Sequence, residues 1–220
     1  MFLTLLAACR GEEGLTLSRG DAYFPLQQGV FQVYSVEEVR YSASGDPTES
    51  NYELMAVVAD SFPASDGVYI YVIHPSTRDN DASEWQPLDT WSVRRNKSEI
   101  VVSEGNTSYV KIKFPLTDTN VWDGNAFNSL GEDEYALREI DLPMELNGMG
   151  FAKTITVEQE RNDDPIVFRD ERKEIYAMDV GLVYKEVIQL NYCTDDTCLG
   201  QQKVDYGIET KMVIREYGRL

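Results

Sequence analysis

The chain has 220 residues, 42% of them hydrophobic, with thirteen Tyr and eight Phe, which is enough for one substantial core and favours strands. Its formal net charge of -18 repels phosphate backbones and anionic head groups, so nucleic-acid binding and electrostatic docking on a membrane are both disfavoured. No apolar run approaches the roughly 20 residues that a bilayer-spanning helix needs.

Met1 to Arg10 reads MFLTLLAACR, a short apolar run ending in Leu6-Ala7-Ala8-Cys9. This resembles the lipobox of bacterial lipoproteins, in which two small residues give a peptidase access to the bond and the Cys thiol takes the diacylglycerol. The resemblance implies a signal-peptide remnant at 1–8, a lipidated Cys9 at the head of a polar tether over 9–20, and a membrane partner reached through the lipid. The run departs from a usual signal core in its shortness and in having no Lys or Arg before it. The competing reading is a buried first strand in which Cys9 is an ordinary small apolar residue. Glu12 and Glu13 resemble the acidic residues that send some Gram-negative lipoproteins to the cell surface, but a solvated linker is the preferred account of them.

Residues 21–220 read as one β-rich domain. Tyr23-Phe24-Pro25-Leu26-Gln27-Gln28-Gly29 is an extended lead-in, with Pro25 fixing one backbone angle and Gly29 permitting a turn. Strands follow at Phe31 to Val39, Tyr52 to Ala59, Val68 to His74 and Trp91 to Arg95, with Arg78 to Ser83 as a polar loop. Ile100 to Glu104 and Tyr109 to Phe114 flank Gly105-Asn106-Thr107, a hairpin signal that puts Lys111 and Lys113 on a wet face. Asp118 to Leu130 reads as a loop around Trp122. Strands at Tyr135 to Ile140 and Phe151 to Glu160 precede a turn at Arg161-Asn162-Asp163-Asp164-Pro165. Ile166 to Ala177 is charged and fits either a helical turn or the wet face of a strand.

The strongest pattern comes last. Leu182, Tyr184, Ile188, Leu190 and Tyr192 share one parity and Lys185, Gln189 and Asn191 the other. Val204, Tyr206, Ile208, Met212 and Ile214 then repeat the alternation, so the two runs form an antiparallel hairpin. Evenly spaced strands without a long amphipathic helix predict an all-β antiparallel sandwich or barrel-like curved sheet with little helix.

Cys193 and Cys198 lie in the loop of this hairpin. With Cys9 lipidated they are the only cysteines left, and an exported chain folds where disulfides persist. A loop of this length brings two Cα atoms within the required range of about 4.4–6.8 Å. Two thiols alone make an incomplete zinc set. Asp195 and Asp196 between them argue against a reactive thiolate by like-charge repulsion. A disulfide is therefore predicted between Cys193 and Cys198.

Three groups of residues, in this order, resemble an uncharacterised family of Gram-negative cell-envelope lipoproteins. They are Tyr23-Phe24-Pro25-Leu26 with Gly29 and Tyr34; Phe114-Pro115-Leu116 followed by Trp122-Asp123-Gly124-Asn125; and Tyr176-Ala177 with Val180-Gly181-Leu182-Val183-Tyr184-Lys185-Glu186. The family often carries Trp in its first strand, where Gln32 stands here. The resemblance implies an exported, lipid-anchored β-rich domain at the outer membrane, periplasmic or surface-facing, and supplies no activity.

Residues that carry chemistry are sparse. His74 is the one histidine, so a relay or a His-based metal site would rest on it alone. Asp118, Asn120, Asp123 and Asn125 offer hard oxygens, but Trp122 breaks the calcium-loop pattern, and such residues ordinarily bond their own backbone in loops. Asp79, Asn80 and Asp81, and Asn162 to Asp164, read as turns. Trp85, Trp91 and Trp122 read as packing residues, with sugar stacking as the alternative. Asn96 and Asn106 match a glycosylation sequon that a bacterial lipoprotein would not normally use. No catalytic residue, metal or cofactor is assigned.

Two functions follow: a non-catalytic structural or docking module of an envelope assembly, or a carrier of an apolar ligand in a barrel-like cavity. A cavity of about 300 Å³ or more lined by both strands of the last hairpin distinguishes the carrier. A filled core with an exposed apolar patch distinguishes the docking module.

Overall fold

The computed structural model describes residues 20–65 and 67–220, so the Cys9 lipobox and nearly all of the tether lie outside the described residues. Apart from a single turn of 3-10 helix at Asp21–Tyr23, the regular structure is all β: β1 Val30–Tyr41, β2 Thr48–Pro63, β3 Tyr69–Arg78, β4 Gln86–Pro87, β5 Trp91–Arg95, β6 Glu99–Glu104, β7 Thr107–Lys113, β8 Val121–Asp123, β9 Glu134–Leu146, β10 Met149–Asp164, β11 Phe168–Ala177, β12 Gly181–Tyr192 and β13 Val204–Arg219. All pair antiparallel in one sheet, in the order β7-β6-β5-β3-β2-β1-β13-β12-β11-β10-β9-β8, with β4 on β3. A sheet this wide and twisted curls on itself. Here it curls into a nearly closed barrel.

The edges β7 and β8 meet in a seam. Val110 N donates to Gly124 O at 2.9 Å, and the indole Nε1 of buried Trp122 donates to Val110 O at 2.8 Å. A side chain thus completes what the backbone ladder leaves open at this junction. Trp122 packs edge-on against Tyr135 at 6.2 Å. Gly124 must be glycine, because a Cβ there would stand 2.3 Å from the Tyr135 ring.

The Asp118 to Leu130 segment therefore contains a short strand, and its polar residues hold the seam. Asn120 Nδ2 donates to Lys113 O and Pro115 O, and Asn128 Nδ2 donates to Ser108 O. Asp123 Oδ1 accepts from Asn125 N and Asp133 N, and Asn125 Oδ1 accepts from Asn128 Nδ2. The candidate calcium oxygens of Asp123 and Asn125 are occupied by the loop's own donors.

Three details differ from the sequence-based expectation, and one open alternative is resolved in favour of a strand. β3 runs through Pro75 to Arg78, which puts His74 in mid-strand, exposed. β10 runs on to Asp164, so the turn expected at Arg161 to Pro165 comes later, between Asp164 and Phe168. The charged stretch after it is strand β11, not a helical turn; its Lys173 lies across from Glu186 and its Glu174 across from Lys185, pairings that stabilise a strand. Finally, the parity of β12 is broken. Tyr176 pairs with Leu182 and Ile175 with Tyr184, leaving Val183 as the extra residue of a bulge. A bulge flips every residue beyond it, so Lys185 joins Leu182 on the inward side instead of opposing it.

One end of the barrel is stoppered by the lead-in. Asp179 N donates to Ala22 O at 2.7 Å, Gln32 Nε2 to Val180 O at 2.9 Å, and the Phe24 and Tyr176 rings lie 5.8 Å apart. Gly181, at φ +96°, admits Pro25 and Gln32 within 3.4 Å of where a Cβ would be. Gly20 is crowded by Phe114 and Leu116 in the same way. The groups that resembled an envelope family in sequence, Tyr23 to Leu26, Phe114 to Leu116 and Tyr176 to Leu182, thus converge on this floor. The turns after Tyr41, Glu104, Asp164 and Tyr192 fall at the opposite end. The last of these carries the Cys193–Cys198 disulfide, with Cα atoms 5.8 Å apart.

Candidate functional site

Above the floor the barrel is not filled. A cavity of about 260 Å³ lies between β1, β2, β3, β5, β6 and the β11–β12–β13 wall. This falls a little short of the about 300 Å³ set above for a carrier, though both strands of the last hairpin line it and it exceeds the roughly 150 Å³ of a dry cavity that takes up benzene. Phe24, Pro25 and Leu26 form its base, and Tyr34, Leu54, Ala56, Val58, Ile73 and Met212 its walls. Both strands of the last hairpin contribute, β12 through Leu182 and Lys185 and β13 through Thr210 and Met212. The inward residues of β1 and β2, Tyr34 with Val36 and Leu54 with Ala56, follow from simple alternation.

The upper part of this apolar chamber carries four charges in an alternating chain. Lys111 Nζ donates to Glu174 Oε1 at 2.7 Å, and Tyr176 OH donates to Glu174 Oε2 at 2.6 Å. Glu104 stands 3.6 Å from Lys111, and Lys185 stands 3.6 Å from Glu174. The two inner members are buried, with side chains 7% exposed for Lys111 and 1% for Glu174, whereas Glu104 is 33% and Lys185 25% exposed. Burial pushes the Glu174 carboxyl up, but Lys111 and Lys185 together with the hydrogen bonds from Lys111 and Tyr176 outweigh it and hold it down at about 2. Burial would likewise lower Lys111, yet Glu174 and Glu104 keep it well above the ordinary lysine value. Burial raises Glu104 too, and Lys111 and Lys185 overcome that. Glu104, Lys111 and Glu174 are therefore ionised at neutral pH. Burial first, then Glu174, pushes the Tyr176 and Tyr34 hydroxyls up, so both stay neutral donors; Tyr34 OH donates to Leu182 O at 3.1 Å.

Sequence reading missed these charges. Lys111 was placed on a wet face, but Val110, Lys111 and Ile112 are all buried, so β7 is covered on both faces. The usable signal was its neighbours: a Lys inside Tyr109-Val110-Lys111-Ile112 sits in a core-like stretch and needs a buried acid as partner.

The residues singled out from sequence are scattered. Trp91 lines the cavity, Trp122 closes the seam, and Trp85 lies under the Arg78 guanidinium at 4.5 Å. Asn96 Oδ1 accepts from Ser98 N and Glu99 N in a turn. A second concavity, around Arg138, Glu158, Arg172 and Glu186, is polar; in it Arg172 donates two bonds to Asp133, at 2.7 and 3.1 Å. Among the exposed large apolar side chains, Phe62, Tyr69 and Leu142 lie toward the floor, Ile166, Val167 and Leu199 toward the mouth, and Val121 on seam strand β8.

No family model matches the chain, and no curated protein matches it. Among solved structures it is similar to a presumed exported protein with a YmcC-like fold from Bacteroides fragilis NCTC 9343, at 15% identity and a TM-score of 0.48, covering 89% of this chain and 98% of that one. It is also similar to a presumed lipoprotein from Parabacteroides distasonis ATCC 8503, at 12% identity and a TM-score of 0.46, with the same coverage.

Proposed function

We propose that this chain is a non-catalytic binding module of the cell envelope, tethered to the outer membrane by lipid on Cys9, that takes a small and largely apolar ligand into the barrel lumen. The observation that carries the reading is the cavity of about 260 Å³ lined by both strands of the last hairpin. A core built only for stability is packed at crystal-like density, so an unfilled chamber sacrifices contact energy that a ligand restores. The same observation favours a carrier over the docking module, for which a filled lumen is the simpler construction. Leu6-Ala7-Ala8-Cys9 and the Cys193–Cys198 bridge support an exported setting.

Ligand uptake is testable with a neutral apolar dye, N-phenyl-1-naphthylamine. The wild type is expected to bind it saturably at one site. Ala56→Trp, which projects a ring into the chamber, is expected to weaken binding at least tenfold, with Leu54→Phe as a milder companion. Absence of saturable binding, or equal binding by well-folded variants, defeats the reading. Anchoring is tested separately in a Gram-negative host, where Cys9→Ser is expected to move the protein from the membrane pellet to the soluble fraction. A variant that still pellets shows that something other than lipid holds it.

A further inference from the structure

The four charges specify the chemistry of the occupant. In the chain Glu104–Lys111–Glu174–Lys185 the central pair is satisfied: Lys111 and Glu174 share a 2.7 Å bond, and Glu174 also accepts from Tyr176. The end members are held more loosely. Glu104 and Lys185 each reach one inner partner at 3.6 Å, beyond good hydrogen-bond length, and Lys185 also acts on the Glu104 carboxylate through space. Both are partly exposed and both line the cavity. They stand at the mouth side, since Glu104 ends β6 at the β6–β7 turn and Lys185 pairs with Met212 one step below Thr210. The lumen thus offers an apolar shaft with one loosely held, partly exposed carboxylate and one loosely held, partly exposed ammonium at its mouth. Their charges balance, so a ligand carrying one sign only leaves the other end member without a partner and adds an uncompensated charge to a partly desolvated site. A head of both signs meets each.

We propose that the lumen takes a single-chain amphiphile with a zwitterionic head, its ammonium group against Glu104 and its anionic group against Lys185, and its apolar portion directed down past Tyr34, Leu54 and Met212. The size of the chamber sets the limit at one short chain or a compact ring system and excludes a two-chain lipid. This inference rests on the lumen being a binding site, as proposed above.

Displacement of N-phenyl-1-naphthylamine by four probes of equal chain length separates the two proposals. The probes are 2-aminodecanoate, decanoate, decylammonium and decanol, at pH 7. The zwitterion is expected to displace dye at a concentration at least tenfold below each of the other three. Lys185→Gln is expected to cost the two carboxylate-bearing probes about tenfold, to leave decanol unchanged and to improve decylammonium, which no longer leaves an ammonium unpaired. Glu104→Gln is expected to do the converse. If decanol, decanoate or decylammonium matches the zwitterion on the wild type, the head-group assignment is overturned while the lumen reading stands. If none of the four displaces bound dye, the assignment falls. If the dye itself does not bind, both readings fall together. Should either variant fail to fold by circular dichroism, the wild-type ranking alone decides.

Discussion

Glu174→Leu is expected to destabilise the protein by about 3–5 kcal/mol, because it leaves the buried Lys111 ammonium without its closest counter-charge. Lys111 sits at 7% side-chain exposure, 2.7 Å from Glu174, and its remaining partner, Glu104, is 3.6 Å away. Lys111→Met is expected to do comparable damage from the other side. The double variant, Lys111→Met with Glu174→Leu, is expected to recover most of the loss, since a buried ion pair replaced by apolar groups of similar volume is often neutral or better. Urea denaturation of the three variants checks this through shifts in midpoint at constant slope. Additive losses in the double variant would show that the pair is not the unit that matters. The same group sets an acid limit. Its folded value is depressed, from an ordinary 4.5 to about 2, so the folded state binds the proton less readily than the unfolded chain does. The stabilisation is complete above pH 4.5, declines as pH falls toward 2 and is gone below that. Wild-type stability is expected to drop through this window, and the double variant is expected to drop less.

Trp122→Ala is expected to cost about 3–5 kcal/mol, the usual range for removing a large buried aromatic. Its consequence is local before it is global. The indole donates to Val110 O and packs on Tyr135, so its loss frees the junction of the two sheet edges. Amide hydrogen exchange is expected to accelerate in β7 and β8 more than in β1 or β13, which have full ladders on both sides. Uniform acceleration across the sheet would mean that Trp122 contributes bulk burial and not closure.

The hairpin of β12 and β13 was legible because alternation from Tyr184 to Leu190 and again through β13 favours strands, even with the bulge at Val183, and the all-β class followed from the spacing of such runs. What escaped depended on partners distant in sequence. The charged β11 looks ambiguous alone because its stability comes from Lys185 and Glu186 opposite it. The inward aim of Lys185 depends on the extra residue at Val183, and no composition signal marks that insertion. Lys111 and Glu174 are 63 positions apart, and neither predicts the other. The candidate loop of Asp118 to Asn125 was visible as polar, but its work at the seam requires Val110 and Ser108 from β7. Long-range pairing hides the site more than the fold.

The place of β1 in the sheet has a kinetic consequence. Its residues pair on one side with β13, Val30 with Arg219 through Tyr41 with Gly207, so the first strand made waits for the last. Closing so long a loop carries an entropic cost that is not recovered until that pairing forms, and topologies with such high contact order fold slowly. A chain emerging N-terminus first holds every strand but the final one while the β13-facing edge of β1 is still open. It therefore stays loosely structured until its last strand is available, and the lumen takes shape only once the whole sheet can close.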